Sequence, residues 1–252
     1  MRKTLVEALR AGGAVLRRRF GTAKVSYKGR ANPVTEADLE SQRVILALLK
    51  RRFPKHGWYA EEDARVDAEV MWVIDPLDGT TNYSHGYPVS CVSIAAVKGT
   101  TVLAGGVYDP FRDELFLAEK GRGATLNGRQ LRVTRTPKLE EALLVTGFAY
   151  DRDTRARFYT ERYARFLEKA HDIRRSGSAA MDLAWLAAGR YDGFWEYKLS
   201  PWDVAAGLLL VTEAGGKVTD MSGKAWKTLD DFGRETLATN GRIHDAMRRT
   251  LK

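Results

Sequence analysis

Residues 72–82 read Trp72-Val73-Ile74-Asp75-Pro76-Leu77-Asp78-Gly79-Thr80-Thr81-Asn82, an apolar run followed at once by two acids, a glycine and three small polar residues. The run predicts a short buried strand over Met71–Ile74 that stops at Asp75-Pro76, with Asp75 and Asp78 on the turn beyond it. Gly79 allows close backbone approach, and Thr80-Thr81-Asn82 predicts the first turn of a helix with free N–H groups, which is a cradle for phosphate. Two acids beside such a cradle repel a phosphate unless cations lie between them. The segment therefore points to a divalent metal together with a phosphate.

More acids lie outward from this stretch. Glu61-Glu62-Asp63 follows Trp58-Tyr59, Asp38 lies in Val34-Thr35-Glu36-Ala37-Asp38, and Asp203 lies in Ser200-Pro201-Trp202-Asp203. Each has an ordinary reading. Glu61-Glu62-Asp63 fits a solvated charge run. Thr35-x-x-Asp38 and Ser200-x-x-Asp203 both fit an acidic capping box, with Pro201 at the favoured first helical position. If these chain ends converge, four or five carboxylates share one small volume and need cations to stay ionised together. Oxygen donors without a His or Cys cluster select a hard ion, Mg²⁺ over Zn²⁺. Cys91, in the apolar run Val89–Val97, reads as a buried thiol, and His85 as structural.

The 252 residues suffice for one large domain or two packed lobes. No apolar run approaches the roughly 18 residues of a membrane span. A single cysteine excludes an internal disulfide framework and points to a reducing, cytoplasmic setting. Net charge is +9, yet residues 1–30 hold nine Lys/Arg against Glu7 alone, while the other 222 residues are nearly balanced. That basic segment fits a solvated helix face, an electrostatic guide or nucleic-acid contact, or a transit peptide. Leu5, Leu9, Leu16 and Phe20 at helical spacing place it within the fold.

Helices are predicted at 3–20, from Thr35, and at 154–170, 178–188, 201–214 and from 241. Strands at 90–97, 101–108 and 114–118 should form an antiparallel meander, and strands at 143–147, 172–175, 192–197, 216–219 and 235–239 alternate with the later helices. The expected organisation is one catalytic domain over 1–252 with lobes of about 1–140 and 141–252, meeting near Thr136-Pro137.

The order Trp58-Tyr59-Ala60-Glu61-Glu62, Trp72 to Asn82, Trp202-Asp203-Val204-Ala205-Ala206-Gly207 and Glu213-Ala214-Gly215-Gly216, with Val34-Thr35-x-x-Asp38 upstream, resembles the inositol monophosphatase family of metal-dependent, lithium-sensitive sugar phosphatases. The resemblance covers essentially the whole chain. It implies an α+β fold, a layered αβαβα sandwich of the inositol monophosphatase and fructose-1,6-bisphosphatase type, with two or three Mg²⁺ per site and a homodimer.

Residue by residue, the resemblance makes Glu61, Asp75, the Leu77 carbonyl, Asp78 and Asp203 metal ligands. Glu61, Thr80 and Asp38 serve catalysis, the last two by orienting and deprotonating the attacking water. Gly79 and Thr80 hold the phosphate with backbone N–H groups. Gly177, Ser178, Ala179 and Glu196 meet the ring hydroxyls, and Asp78 and Asp203 also border the substrate. Two positions depart from the pattern: Ala60 replaces a usual Gly, and Asn32 a frequent Asp. The implied reaction is hydrolysis of inositol 1-phosphate or a related sugar phosphate, one Mg²⁺ activating water and another stabilising the leaving alkoxide. Fructose 1,6-bisphosphatase or nucleotide 3'-phosphatase activity is the alternative within enzymes. A regulatory role on nucleic acid or protein through the basic segment is the alternative outside them.

Overall fold

The computed structural model describes residues 1–27 and 33–252. Asn32, with Lys28 and Arg30 of the basic segment, lies outside the described residues. The chain runs α1 (Arg2–Arg19), β1 (Val25–Tyr27), β2 (Pro33–Thr35), α2 (Glu36–Arg52), β3 (Gly57–Ala60), β4 (Met71–Asp78) and α3 (Thr80–Ser84). Next come β5 (Cys91–Lys98), β6 (Thr101–Asp109), β7 (Glu114–Glu119), β8 (Ala124–Leu126) and β9 (Arg129–Gln130). The later half is β10 (Leu143–Thr146), α4 (Arg152–Leu167), β11 (Asp172–Arg174), α5 (Ala179–Ala187), β12 (Gly193–Tyr197), α6 (Pro201–Glu213), β13 (Lys217–Thr219), β14 (Glu235–Thr239) and α7 (His244–Leu251).

Two sheets result. One has the order β3-β4-β5-β6-β7-β8-β9, the other β11-β10-β12-β14-β13. The meander β5–β6–β7 is antiparallel, whereas β3 pairs parallel to β4. In the second sheet β10 is parallel to both β11 and β12.

The layering follows from where each helix is apolar. All nine residues of α5 are buried, and α6 is buried along nearly its whole length. Helices apolar all round need cover on every side, and these two fill the space between the sheets. Gly105 on β6 lets α6 press close: a Cβ there would stand 2.9 Å from the Ala206 Cα. The amphipathic α1 and α2 bury Leu5, Leu9, Leu16, Ile45 and Leu49 on the outer face of the larger sheet. α4 and α7 do the same for the smaller sheet, with Phe166 and Met247 in its cluster. The protein is thus an αβαβα sandwich.

The predicted strand end at Asp75 is corrected. β4 continues to Asp78, because the register slips rather than stops: Asp75 pairs with Ser93 and Asp78 with Cys91, three steps on β4 against two on β5. Pro76 has no N–H to give to a ladder, so the irregularity falls where one bond is missing in any case. The last helix begins at His244, not 241, since Gly241 sits at φ +85°. β1, β2, β3, β8 and β9 are strands that the sequence pattern did not reveal. Each has only two to four residues, too few for an alternation to show.

His244 is enclosed between two hydroxyls, Thr219 Oγ at 3.0 Å from Nε2 and Thr239 Oγ at 3.0 Å from Nδ1. Burial, with Lys217 and Arg248 nearby, pushes its pKa down to about 4. An unfolded chain takes up a proton near pH 6.5 that the folded one refuses, so this residue costs stability as pH falls from about 6.5 towards 4. In urea titrations at pH 7 and pH 4.5, His244→Gln should lose less stability between the two than the unmodified protein. Equal losses would show that His244 is protonated without cost.

Candidate active site

Asp75, Asp78 and Asp203 converge so that one carboxylate oxygen from each lies within 4.8 Å of the others. Three different local devices bring them there. In a regular strand, residues three apart point to opposite faces; the extra residue in β4 turns Asp78 to the side of Asp75. Ser41 of α2 fixes that irregularity by donating to the Pro76 carbonyl at 2.9 Å, and the Leu77 N–H donates to Asp75 Oδ1 at 3.0 Å. Asp203 arrives on the first turn of α6, where its Oδ2 accepts the Ser200 N–H at 2.6 Å. The capping reading of Asp203 and its place in a cluster are therefore both correct, since a carboxylate has two oxygens.

Asp38 shows the same division. Its Oδ2 accepts the Thr35 N–H (2.8 Å) and hydroxyl (2.6 Å), closing the capping box of α2. Its Oδ1 lies 3.2 Å from Thr80 Oγ, which is also 2.9 Å from the Leu77 carbonyl. Gly79, in the left-handed region at φ +89°, turns the chain from β4 into α3 and so sets Thr80 at this position. The Glu61 N–H donates to the Ile74 carbonyl at 3.2 Å, which extends the parallel β3–β4 ladder by one residue and seats Glu61 beside Asp75.

These groups border one cavity of about 250 Å³. Glu61, Asp75, Leu77, Asp78, Gly79, Thr80, Gly177, Ser178, Ala179, Glu196 and Asp203 all line it; Asp38 stands behind Thr80 rather than on the wall. Ser178 reaches Asp78 directly, its hydroxyl donating to Oδ2 at 2.6 Å while the Ala180 N–H donates at 2.7 Å. Gly147 is required opposite Glu196, because a Cβ there would fall 2.1 Å from Glu196 Oε1. The sequence reading missed Phe148, Tyr150, Arg152, Arg175 and Lys198 on the far wall. Arg175, two residues before Gly177, was the one signal available. Ala60, the small departure from the pattern, is buried at the end of β3 and adds a methyl to the core without reaching the cavity.

The electrostatics of the acid cluster are adverse in the protein alone. Burial first, then the charges of Glu61, Asp78 and Asp203, push Asp75 well above the usual carboxylate range. Burial and Asp78 raise Asp203 to about 8, and burial raises Glu196 to about 8 with Arg175 easing it. Asp78 is raised by burial as well, against the pull of its bonds from Ser178 and Ala180. Asp38 sits at about 6, raised by burial and held back by Thr35. An oxygen-only set of crowded acids of this kind suits a hard divalent cation, which supplies the missing charge. Cys91 is fully buried beside Asp78, and burial pushes its thiol up, so it is no nucleophile.

The sequence profile of the inositol monophosphatase family matches residues 1–252. The chain belongs to the inositol monophosphatase family. It is a phosphatase enzyme of that type. A relative from Synechocystis sp., called inositol-1-monophosphatase, is 46% identical over 253 residues, spanning 97% of this chain and 86% of its own. A relative from Xylella fastidiosa, called Nus factor SuhB, is 41% identical over 98% of this chain and 92% of its own. The crystal structure of extragenic suppressor protein suhB from Bartonella henselae superposes with a TM-score of 0.93 at 39% identity, covering 99% of this chain and 97% of that one.

Raised carboxylate pKa values mean that the folded, metal-free protein binds protons that the unfolded chain has released. Its stability should fall as pH rises from about 4 towards 8. With chelator at pH 8, Asp203→Asn should melt at a higher temperature than the unmodified protein, and added Mg²⁺ should raise the melting temperature of the unmodified protein far more than that of the variant. A variant that melts lower with chelator would show that the cap outweighs the repulsion.

Proposed function

We propose that the protein is a Mg²⁺-dependent phosphomonoesterase that hydrolyses inositol 1-phosphate or a related sugar phosphate by attack of water. The observation that carries this reading is the meeting of Asp75, Asp78 and Asp203 within 4.8 Å on the wall of a cavity that Gly79 and Thr80 also line. Asp75, Asp78, Asp203, Glu61 and the Leu77 carbonyl would hold two or three Mg²⁺ ions, all through oxygen. Bound Mg²⁺ supplies acidity to a coordinated water and offsets charge on the phosphoryl and leaving oxygens.

The chain's own residues do the rest. Asp38 keeps Oδ1 for Thr80 because Thr35 fills Oδ2. Thr80 then donates to Asp38, its lone pairs turn to the attacking water, and the water's proton leaves along this pair. Backbone N–H groups at Gly79 and Thr80 position the phosphate. Glu196, buried at the end of β12 and facing the cavity, accepts from ring hydroxyls together with the Gly177–Ala179 backbone. No step needs a covalent enzyme intermediate. Positioning and charge provide most of the rate, as suits a loose phosphoryl transition state.

The reading extends to a homodimer, inhibited by lithium and located in the cytoplasm; no helix of the described residues is long and apolar enough to cross a membrane. The basic segment gives little support to a nucleic-acid role. Arg18 and Arg19 pair with Glu40, Arg10 with Asp113 and Arg2 with Glu119, so much of that charge is answered by the fold itself.

Phosphate release from inositol 1-phosphate should require Mg²⁺, stop with chelator, and fall about a hundredfold or more in Asp75→Asn. Asp38→Asn and Thr80→Ala should each lower kcat by about 10²–10⁴-fold, and the double variant by little more than the worse single one. Additive losses would separate the two residues. Metal-independent hydrolysis would overturn the reading.

A further inference from the structure

Glu61 and Asp203, both metal ligands in the reading above, come from distant parts of the chain, and one surface side chain ties those parts together. Beyond β3 the chain folds back on itself. Trp58 and Val66 exchange two backbone hydrogen bonds of 2.9 Å, which closes the segment between them into a tight loop that carries Glu61. Gly57 makes room for the return, since a Cβ there would stand 2.0 Å from the Val66 carbonyl oxygen. On the other side the Glu62 N–H donates to Gln42 Oε1 of α2 at 2.9 Å.

Arg65 stands at the end of this loop, and its guanidinium makes three contacts. Nε donates to Asp67 Oδ1 and Nη1 to Asp230 Oδ1, each at 2.7 Å, and Cζ lies 4.8 Å from the centroid of the Tyr59 ring. Two routes lead from there to the first turn of α6. Tyr59 meets the Trp202 ring edge to face, with centroids 5.1 Å apart at 84°. The Trp202 carbonyl in turn accepts at 3.2 Å from Ser93, the residue opposite Asp75 on β5. The second route runs through Asp230, 165 positions from Arg65. Its segment continues to Gly233, whose carbonyl accepts the Leu199 N–H at 3.0 Å, immediately before the Ser200 cap of α6.

Stability is a poor account of such a clamp. Asp67 and Asp230 are both exposed, and exposed ion pairs add little to folding. A planar fork that grips two acids and rests on a ring does fix direction. Arg65 itself does not line the cavity.

We infer that Arg65 is a positioning residue for the metal site, which sets the Glu61 loop against the Asp203 turn through Tyr59–Trp202 and Asp230. The inference rests on the metal-dependent reading above and adds to it a residue outside the cavity. The sign of its effect separates positioning from charge. Removing a cation near crowded carboxylates would by electrostatics alone strengthen the binding of Mg²⁺, whereas loosening the two ligands weakens it.

The test titrates Mg²⁺ alone into the full chain by calorimetry, and follows phosphate release from inositol 1-phosphate across Mg²⁺ concentrations. Arg65→Gln should raise both the Mg²⁺ Kd and the Mg²⁺ concentration for half-maximal rate by about tenfold, the size usual for residues that support metal ligands. At saturating Mg²⁺ its kcat should stay within about twofold of the unmodified protein, because Arg65 touches no reacting atom. Its melting temperature in chelator should hardly move. Arg65→Lys keeps the charge without the fork and should recover little of the affinity. Asp230→Asn should weaken Mg²⁺ binding too, and the double variant should do no worse than Arg65→Gln. An unchanged or tighter Kd in Arg65→Gln, full affinity in Arg65→Lys, or additive losses in the double variant would each overturn the inference. So would a melting temperature in chelator that falls in step with affinity, since Arg65 would then serve stability alone. Mg²⁺ binding without phosphate release would fail the substrate reading only, and the calorimetry would still decide this one. If the unmodified protein took up no Mg²⁺, both would fall.

Discussion

Three carboxylates meet because β4 carries one residue more than its partner strand between Asp75 and Asp78. A regular ladder would send these two side chains to opposite faces, one into the outer helical layer and one towards α6. The surplus residue removes that choice, and much of the surrounding structure holds the irregularity in place. Ser41 reaches from α2 to the Pro76 carbonyl, Gly79 takes the left-handed turn that follows, and Ser178 with the Ala180 N–H fixes Asp78 from the far side. Elements from both halves of the chain thus converge on four residues of one strand.

That convergence is costly. Buried acids that repel one another destabilise the protein without a cation, and their pKa values record it. The apolar layers around them supply the rigidity that holds the acids together. α5 and α6, apolar on every side and enclosed between two sheets, leave little freedom for the first turn of α6 to carry Asp203 away. Capping contributes in the same direction, about 1 kcal/mol for a typical cap. Asp38 and Asp203 each give one oxygen to the helix that carries them, while Asp38 turns its other to Thr80 and Asp203 stands in the acid cluster.

The cavity's two walls differ in origin as well as in charge. The acidic wall comes from the ends of β3 and β4 and the first turns of α3 and α6; the basic wall comes from the carboxyl ends of β10, β11 and β12. The cavity thus presents cationic side chains on one side and crowded carboxylates on the other.

The sequence by itself determined the helices and long strands, since their periodicity is a local property. It also held the acid set, because Asp75-Pro76-Leu77-Asp78-Gly79-Thr80-Thr81-Asn82 and Trp202-Asp203 keep their order in one dimension. Only the tertiary structure decided that Asp75 and Asp78 share a side: a bulge is defined by the partner strand, and no residue of β4 announces that Ser93 and Cys91 stand opposite. The same holds for caps that double as cluster members, which reading each motif alone sets in opposition. Arg152 and Arg175 were invisible as a pair, being 23 positions apart and brought to one wall by parallel strands. Short strands such as β3 and β8 escaped for a simpler reason. Pairing with a long neighbour makes them strands, and two to four residues hold no pattern of their own.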